Sequence, residues 1–170
     1  MLSALFCLIV ASCGNDEPTS AKVARVEVNY SLDLSSDLVN LLDMTISYVD
    51  GNGTTRKTPV VGTSFYEKAT FTSFPSEFGF SLSVNSVKEQ IFDAEKYQLK
   101  LSYNVSAVSY DDDGNVIQDC PSARANSFTY NLTPDKIADF LKNEVEIGQY
   151  FATSNDIDKN GKIIVVIEPM

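Results

Sequence analysis

The sequence predicts an all-β chain, an antiparallel β-sandwich with one short helix in its second half. Three observations carry this. Long stretches alternate with period two, as where Val26, Val28, Tyr30, Leu32 and Leu34 fall on one parity and Arg25, Glu27, Asn29, Ser31 and Asp33 on the other. Turn formers recur between such stretches, at Asp50-Gly51-Asn52-Gly53, Asp111 to Asn115 and Asp156 to Gly161. A sustained helical stripe follows only Thr133-Pro134. With 170 residues and a hydrophobic share of 44%, the chain is long enough for one domain with a real core.

The alternation around Tyr30 defines the first strand. Met44, Ile46 and Tyr48 repeat the pattern up to the Asp50-Gly51-Asn52-Gly53 turn, and Thr54 to Val61 returns as the hairpin partner. Pro59 lacks an amide donor, so it belongs at an edge. Phe65 to Phe74 and Phe78 to Val84 form a second candidate pair around Pro75-Ser76-Glu77. Ser86 with Glu89 reads as a capping box for a short helical turn carrying Val87 and Ile91. A long strand follows through Tyr97, Leu99, Leu101, Tyr103, Val105 and Ala107, then the Asp111 to Asn115 turn and a strand around Phe128 to Leu132. Thr133 and Pro134 open the late helix, Ile137, Phe140 and Leu141 give its apolar stripe, and Gly148 ends it. Lys162 to Glu168 is apolar on both parities and is predicted as a last, central strand. Seven to nine strands fit a sandwich; an eight-stranded barrel is the alternative, because strand count does not separate the two.

Asp93, Ala94 and Tyr97, in Asp93-Ala94-Glu95-Lys96-Tyr97-Gln98-Leu99, resemble the start of the sixth strand in immunoglobulin-like and fibronectin-type domains. The resemblance implies an immunoglobulin-like sandwich in which the Tyr97 hydroxyl bonds back to preceding backbone. The disulfide and the core Trp of antibody domains are not expected here, since the chain has no Trp and Cys120 is left without a partner.

Met1 to Ser12 reads MLSALFCLIVAS, an uncharged apolar run followed by polar GNDEPTS. It is shorter than the roughly 20 residues a membrane span needs and fits the apolar region of a secretory signal. Val10-Ala11-Ser12-Cys13 resembles the lipobox of bacterial lipoproteins, although no Lys or Arg precedes the apolar run. The resemblance implies cleavage before Cys13 and a thioether-linked diacylglycerol on its sulfur. The acidic pair Asp16-Glu17 resembles the export signal of Bacteroidetes outer-membrane lipoproteins, which implies the outer membrane, at its outer or its inward face. The chain then divides into a signal peptide (1–12), an acylated tether (13–21) and one sandwich domain (22–170). With Cys7 lost and Cys13 lipidated, Cys120 is expected to have no disulfide partner.

Composition excludes several functions. Against 13 Lys and Arg stand 23 Asp and Glu, a net charge of -10 that ill suits a phosphate backbone, so nucleic acid drops out as a partner. There is no His, hence no imidazole base and no His-ligated metal. No Ser-centred elbow or Gly-rich phosphate cradle is visible either.

Two acidic loops are candidate calcium sites. Asp156, Asp158 and Asn160 stand at the first, third and fifth places of a pattern whose Gly161 permits a sharp turn, but the twelfth place is Ile167 instead of a bidentate Glu. Asp111, Asp113 and Asn115 form the second cluster. Aromatics make up 11% of the chain. Tyr48, Phe71 and Tyr103 fall in alternating stretches and are expected in the core, whereas Tyr66, Tyr110 and Tyr150 lie near element ends and are the candidate ligand contacts. The expected function is that of a non-enzymatic, membrane-attached envelope lipoprotein binding a glycan, peptide or partner protein, with no cofactor beyond a possible calcium ion. The contrasting class is a structural subunit of a surface fibre or envelope complex.

Overall fold

The computed structural model describes residues 22–89, 92 and 94–165. The signal peptide, Cys13, the tether, Ile91, Asp93 and the end of the last strand lie outside these residues.

Nine strands and two helices run in the order β1 (Arg25–Leu34), α1 (Ser36–Leu41), β2 (Leu42–Val49), β3 (Thr55–Pro59), β4 (Ser64–Phe71), β5 (Ser76–Val87), β6 (Tyr97–Tyr110), β7 (Val116–Leu132), α2 (Pro134–Ile147), β8 (Gln149–Ile157) and β9 (Ile163–Ile164). They form a four-stranded sheet, β4-β1-β6-β7, and a five-stranded sheet, β3-β2-β5-β8-β9, with every pairing antiparallel. Neither sheet closes onto the other, so the fold is a sandwich and not a barrel.

The even residues of β1 supply the apolar parity. Val26, Val28, Tyr30 and Leu32 are buried against Phe78, Phe80 and Leu82 of β5 and Leu99 and Leu101 of β6. Side chains of this size each contribute about 1.5–3 kcal/mol when fully buried, which is what joins the layers. Tyr30 also crosses between sheets, its hydroxyl donating to Val49 O at 2.9 Å. As expected, Tyr97 Oη bonds back to preceding backbone, accepting from Ala94 N at 3.1 Å.

Several sequence expectations are corrected. β4 and β5 do not pair with each other, because the chain between them, through the cis Phe74-Pro75 bond, crosses from one sheet to the other. Ser86 opens no helix: β5 continues through Val87, where Ser86 and Val87 pair with Asp43 and Leu42 of β2. The strand predicted near Phe128 starts at Val116. Among the described residues β9 stands at the end of its sheet's strand order, an edge strand and not a central one, with Ile163 in the core and Ile164 42% exposed. α1 was not anticipated, although Ser35 is its N-cap, accepting from Leu38 N at 3.3 Å and, across the fold, from Lys100 N at 2.9 Å. Cys120, buried on β7, is disulfide-bonded. The contrary expectation counted both other cysteines, Cys7 and Cys13, as spent in processing; both lie outside the described residues.

Candidate functional site

The turns β2–β3, β6–β7 and β8–β9 share one spacing, Asp-x-x-Gly-x, and one geometry. Asp50, Asp111 and Asp158 each donate their amide to the carbonyl four residues on, at 2.9, 3.0 and 2.9 Å. Gly53, Gly114 and Gly161 take positive φ (73°, 84° and 81°), which only glycine adopts without strain, and return an amide to the Asp carbonyl. The Asp side chain then closes the turn. Asp158 Oδ1 accepts from Asn160 N at 2.7 Å and Lys162 N at 2.9 Å. Asp111 accepts from Asn115 N at 2.7 Å and Asn115 Nδ2 at 2.9 Å. Asp50 Oδ1 accepts from Asn52 N and Thr54 N, each at 3.0 Å, and its Oδ2 from Arg56 Nε at 2.6 Å.

Both loops read as calcium candidates are therefore Asp-closed hairpin turns. The hydrogen bond from the Asn115 side chain, with that from its amide, holds Asp111 below the usual carboxylate range; the Thr54 amide, then Arg56, does the same for Asp50. Asp156 lies apart from the turn, on β8 opposite Ile164. Among the described residues, no three acidic or cysteine side chains converge as metal ligands.

The three tyrosines separate. Tyr66 on β4 is 65% exposed, and Tyr110 ends β6 with the Arg25 guanidinium 4.3 Å above its ring. Tyr150 instead stacks on Phe128 across the sheets, ring centroids 5.6 Å apart, with its hydroxyl beside Glu144. Burial raises that phenol above its usual range and raises the neighbouring Glu144 carboxyl as well.

Tyr66 and Tyr110 both lie on the outward face of the four-stranded sheet. Its polar groups are tied to one another across strands. Tyr66 Oη donates to Asn29 Oδ1 at 2.8 Å, and Asn29 Nδ2 donates to Ser106 Oγ at 3.3 Å, so one row links β4, β1 and β6. One step along, Ser31 Oγ donates to Asn104 O at 3.2 Å, and Asn104 Nδ2 reaches Pro121 O on β7 at 3.2 Å. On the other side Glu27 bridges Lys68 at 2.7 Å and Arg25 at 3.2 Å; the Lys68 hydrogen bond, followed by that from Arg25, keeps its carboxyl below the usual range despite some burial.

Sequence reasoning placed Asn29 and Ser31 on the polar parity of β1 but could not identify their neighbours. Ser106, Lys68 and Asn104 join the face only through the pairings Asn29–Lys68, Asn29–Ser106 and Ser31–Asn104. No protein-family model matches the chain, and no curated protein matches it.

Proposed function

We propose that the chain is a lipid-anchored, non-catalytic binding module of the bacterial cell envelope, with the outward face of the β4-β1-β6-β7 sheet as its glycan-binding surface. The observation that carries this reading is the row Tyr66–Asn29–Ser106, in which amide and hydroxyl groups are fixed beside an exposed ring. The row crosses two strand spacings, about 10 Å, the span of a short oligosaccharide. Fixed donors and acceptors meet sugar hydroxyls with little loss of side-chain entropy, and the Tyr66 ring offers a stacking face. In the Glu27–Lys68–Arg25 ladder beside the row both cations are engaged by Glu27, a net charge of +1 in which neither cation is free to recruit an anionic sugar, which suits an uncharged sugar chain.

Titration of the protein against uncharged oligosaccharides from cell-envelope and host polysaccharides, followed by amide chemical shifts, tests this. Shifts should concentrate on β4, β1 and β6, and Tyr66→Ala should weaken binding by about tenfold. Shifts elsewhere, or unchanged affinity in the variant, would remove the surface from consideration.

The anchor rests on the lipobox resemblance. Acyl chains contribute about 0.8 kcal/mol per buried methylene, so two or three hold such a domain at a bilayer. Processing at Cys13 removes Cys7 and acylates Cys13, so the anchored mature chain would not retain the intrachain Cys120 disulfide of the structure. The intact mass decides: a mature chain beginning at acylated Cys13 is expected, and a retained leader with an oxidised Cys13 overturns the anchor.

A structural subunit is the second reading, and β7 favours it. This strand of 17 residues stands at the end of its sheet's strand order, where an edge can pair with another chain. A monodisperse monomer favours the binding module; ladders of oligomer favour assembly.

A further inference from the structure

At the end of the sandwich where residue 22 leads into β1, a cavity of about 360 Å3 is lined by Lys22, Val23, Ala24, Thr72, Phe74, Asp112 and Lys159. Two of the Asp-closed turns supply its rim, the β6–β7 turn through Asp112 and the β8–β9 turn through Lys159. Those turns are fixed from within. The Asp111 and Asp158 carboxylates are occupied by their own loops, and Gly161 packs so closely on Val23 and Phe74 that a Cβ there would lie 2.6 Å from Val23.

Among the described residues, the charges on the rim are not used by the fold. Neither Lys22 nor Lys159 belongs to an ion pair among the described residues; five other cations, Arg25, Arg56, Lys68, Lys88 and Lys142, do. Asp112 takes no part in the hydrogen bonds that close its turn. Lys22 and Lys159 both line this cavity, so an anion held there would gain from two ammonium groups. An anion alone would in turn meet Asp112, whereas a ligand carrying both signs satisfies all three groups. Val23, Ala24 and Phe74 add an apolar wall, and the volume falls in the range of small-molecule sites.

We propose that this cavity binds a phosphoethanolamine-type zwitterion, its phosphate between Lys22 and Lys159 and its ammonium against Asp112. The shared chemistry admits a phospholipid headgroup or the free compound. A headgroup source fits the position: Lys22 directly follows the segment read as the tether, so occupancy would turn this end of the sandwich toward the bilayer.

The test titrates the full chain carrying Cys13→Ser, which cannot be acylated at that sulfur, with O-phosphorylethanolamine, inorganic phosphate and glycine, by calorimetry and amide shifts. Saturable binding of O-phosphorylethanolamine is expected, with shifts at Lys22–Ala24, Asp112 and Lys159. Lys159→Gln should weaken it about tenfold and Asp112→Asn at least about threefold. All three charged groups are exposed, so unchanged circular dichroism should accompany each variant. Flotation with phosphatidylethanolamine vesicles against pure phosphatidylcholine vesicles then separates the sources: selective flotation assigns the lipid, and binding of the soluble compound without flotation assigns the free ligand. The proposal is overturned by an absence of saturable binding, by variants that bind as tightly as the parent, by inorganic phosphate binding equally well with and without Asp112, or by glycine binding as strongly. None of these outcomes bears on glycan binding at the sheet face.

Discussion

The Asp-closed turns and the inner seam between β7, β8 and β9 satisfy their polar groups in opposite ways. In the turns, each carboxylate is paired within two to six residues of itself. In the seam, Gln118 reaches 45 residues along the chain to pair with both backbone groups of Ile163, donating to its O at 3.1 Å and accepting from its N at 2.9 Å. That side-chain amide acts as a rung between the two sheets. Nearby, the pattern is incomplete: Asn155 and Ser109 are fully buried, and their side-chain polar atoms lack partners. Local closure tolerates water as a competitor, whereas a buried long-range pair either closes or costs the full desolvation of its groups.

Removing the rung is the strongest way to break this contrast. Gln118→Ala deletes both bonds and strands the Ile163 amide and carbonyl, so denaturant unfolding should show a loss of about 3 kcal/mol. A loss under about 1 kcal/mol would mean that water replaces the rung and that the seam behaves like a surface. Gly161→Ala comes next. It demands positive φ of a residue with a Cβ and drives that atom into Val23, so about 2 kcal/mol should be lost. At Gly114, where φ is equally positive but no atom lies within 4 Å, the loss should be smaller, which isolates the packing contribution.

Asn155 sharpens the comparison from the other side. Because its amide is already unpaired, Asn155→Leu should raise stability by about 1 kcal/mol, read from the denaturant midpoint. Destabilisation instead would reveal a partner that the amide requires.

Acid titration addresses the turns. Asp50 and Asp111 are held below their ordinary range when folded, so their contribution is complete above the unfolded carboxylate range and is lost as pH falls through the lower, folded values. Thermal melts should therefore decline below about pH 4, and Asp111→Asn should flatten the decline. Calcium gives the smallest expected effect. The Asp158 carboxylate already serves two amides, so melting temperatures with millimolar calcium and with chelator should agree; a rise abolished by Asp158→Ala would establish the calcium reading.

Legibility in the sequence followed the range of each interaction. β1 and its inward parity, the β2–β3 hairpin with Pro59 at its edge, and the helix from Pro134 to the left-handed Gly148 all rest on contacts within a few residues. α1 had a readable start at Ser35, but its six residues are too few for a periodic stripe. Spacing placed Asp156, Asp158 and Asn160 in one pattern, but it does not show which carboxylate accepts from backbone amides, and that is Asp158. The same local reading grouped Tyr150 with Tyr66 and Tyr110, since position near an element end does not reveal which side of the sheet a ring takes.

What the amino acids determined unaided was the repeat of two, the placement of Asp and Gly in three turns, and the net negative charge. Each depends on a residue and its close neighbours, where sterics and hydrogen bonding act without the rest of the chain. The tertiary structure alone decided that β4 and β6 flank β1, that Asn29 meets both Tyr66 and Ser106, that Gln118 joins the sheets, and that Lys22, Asp112 and Lys159 share one cavity. Alternation tells a strand which face to bury and leaves its partner unspecified. The partner is selected only when both sheets pack their apolar faces together.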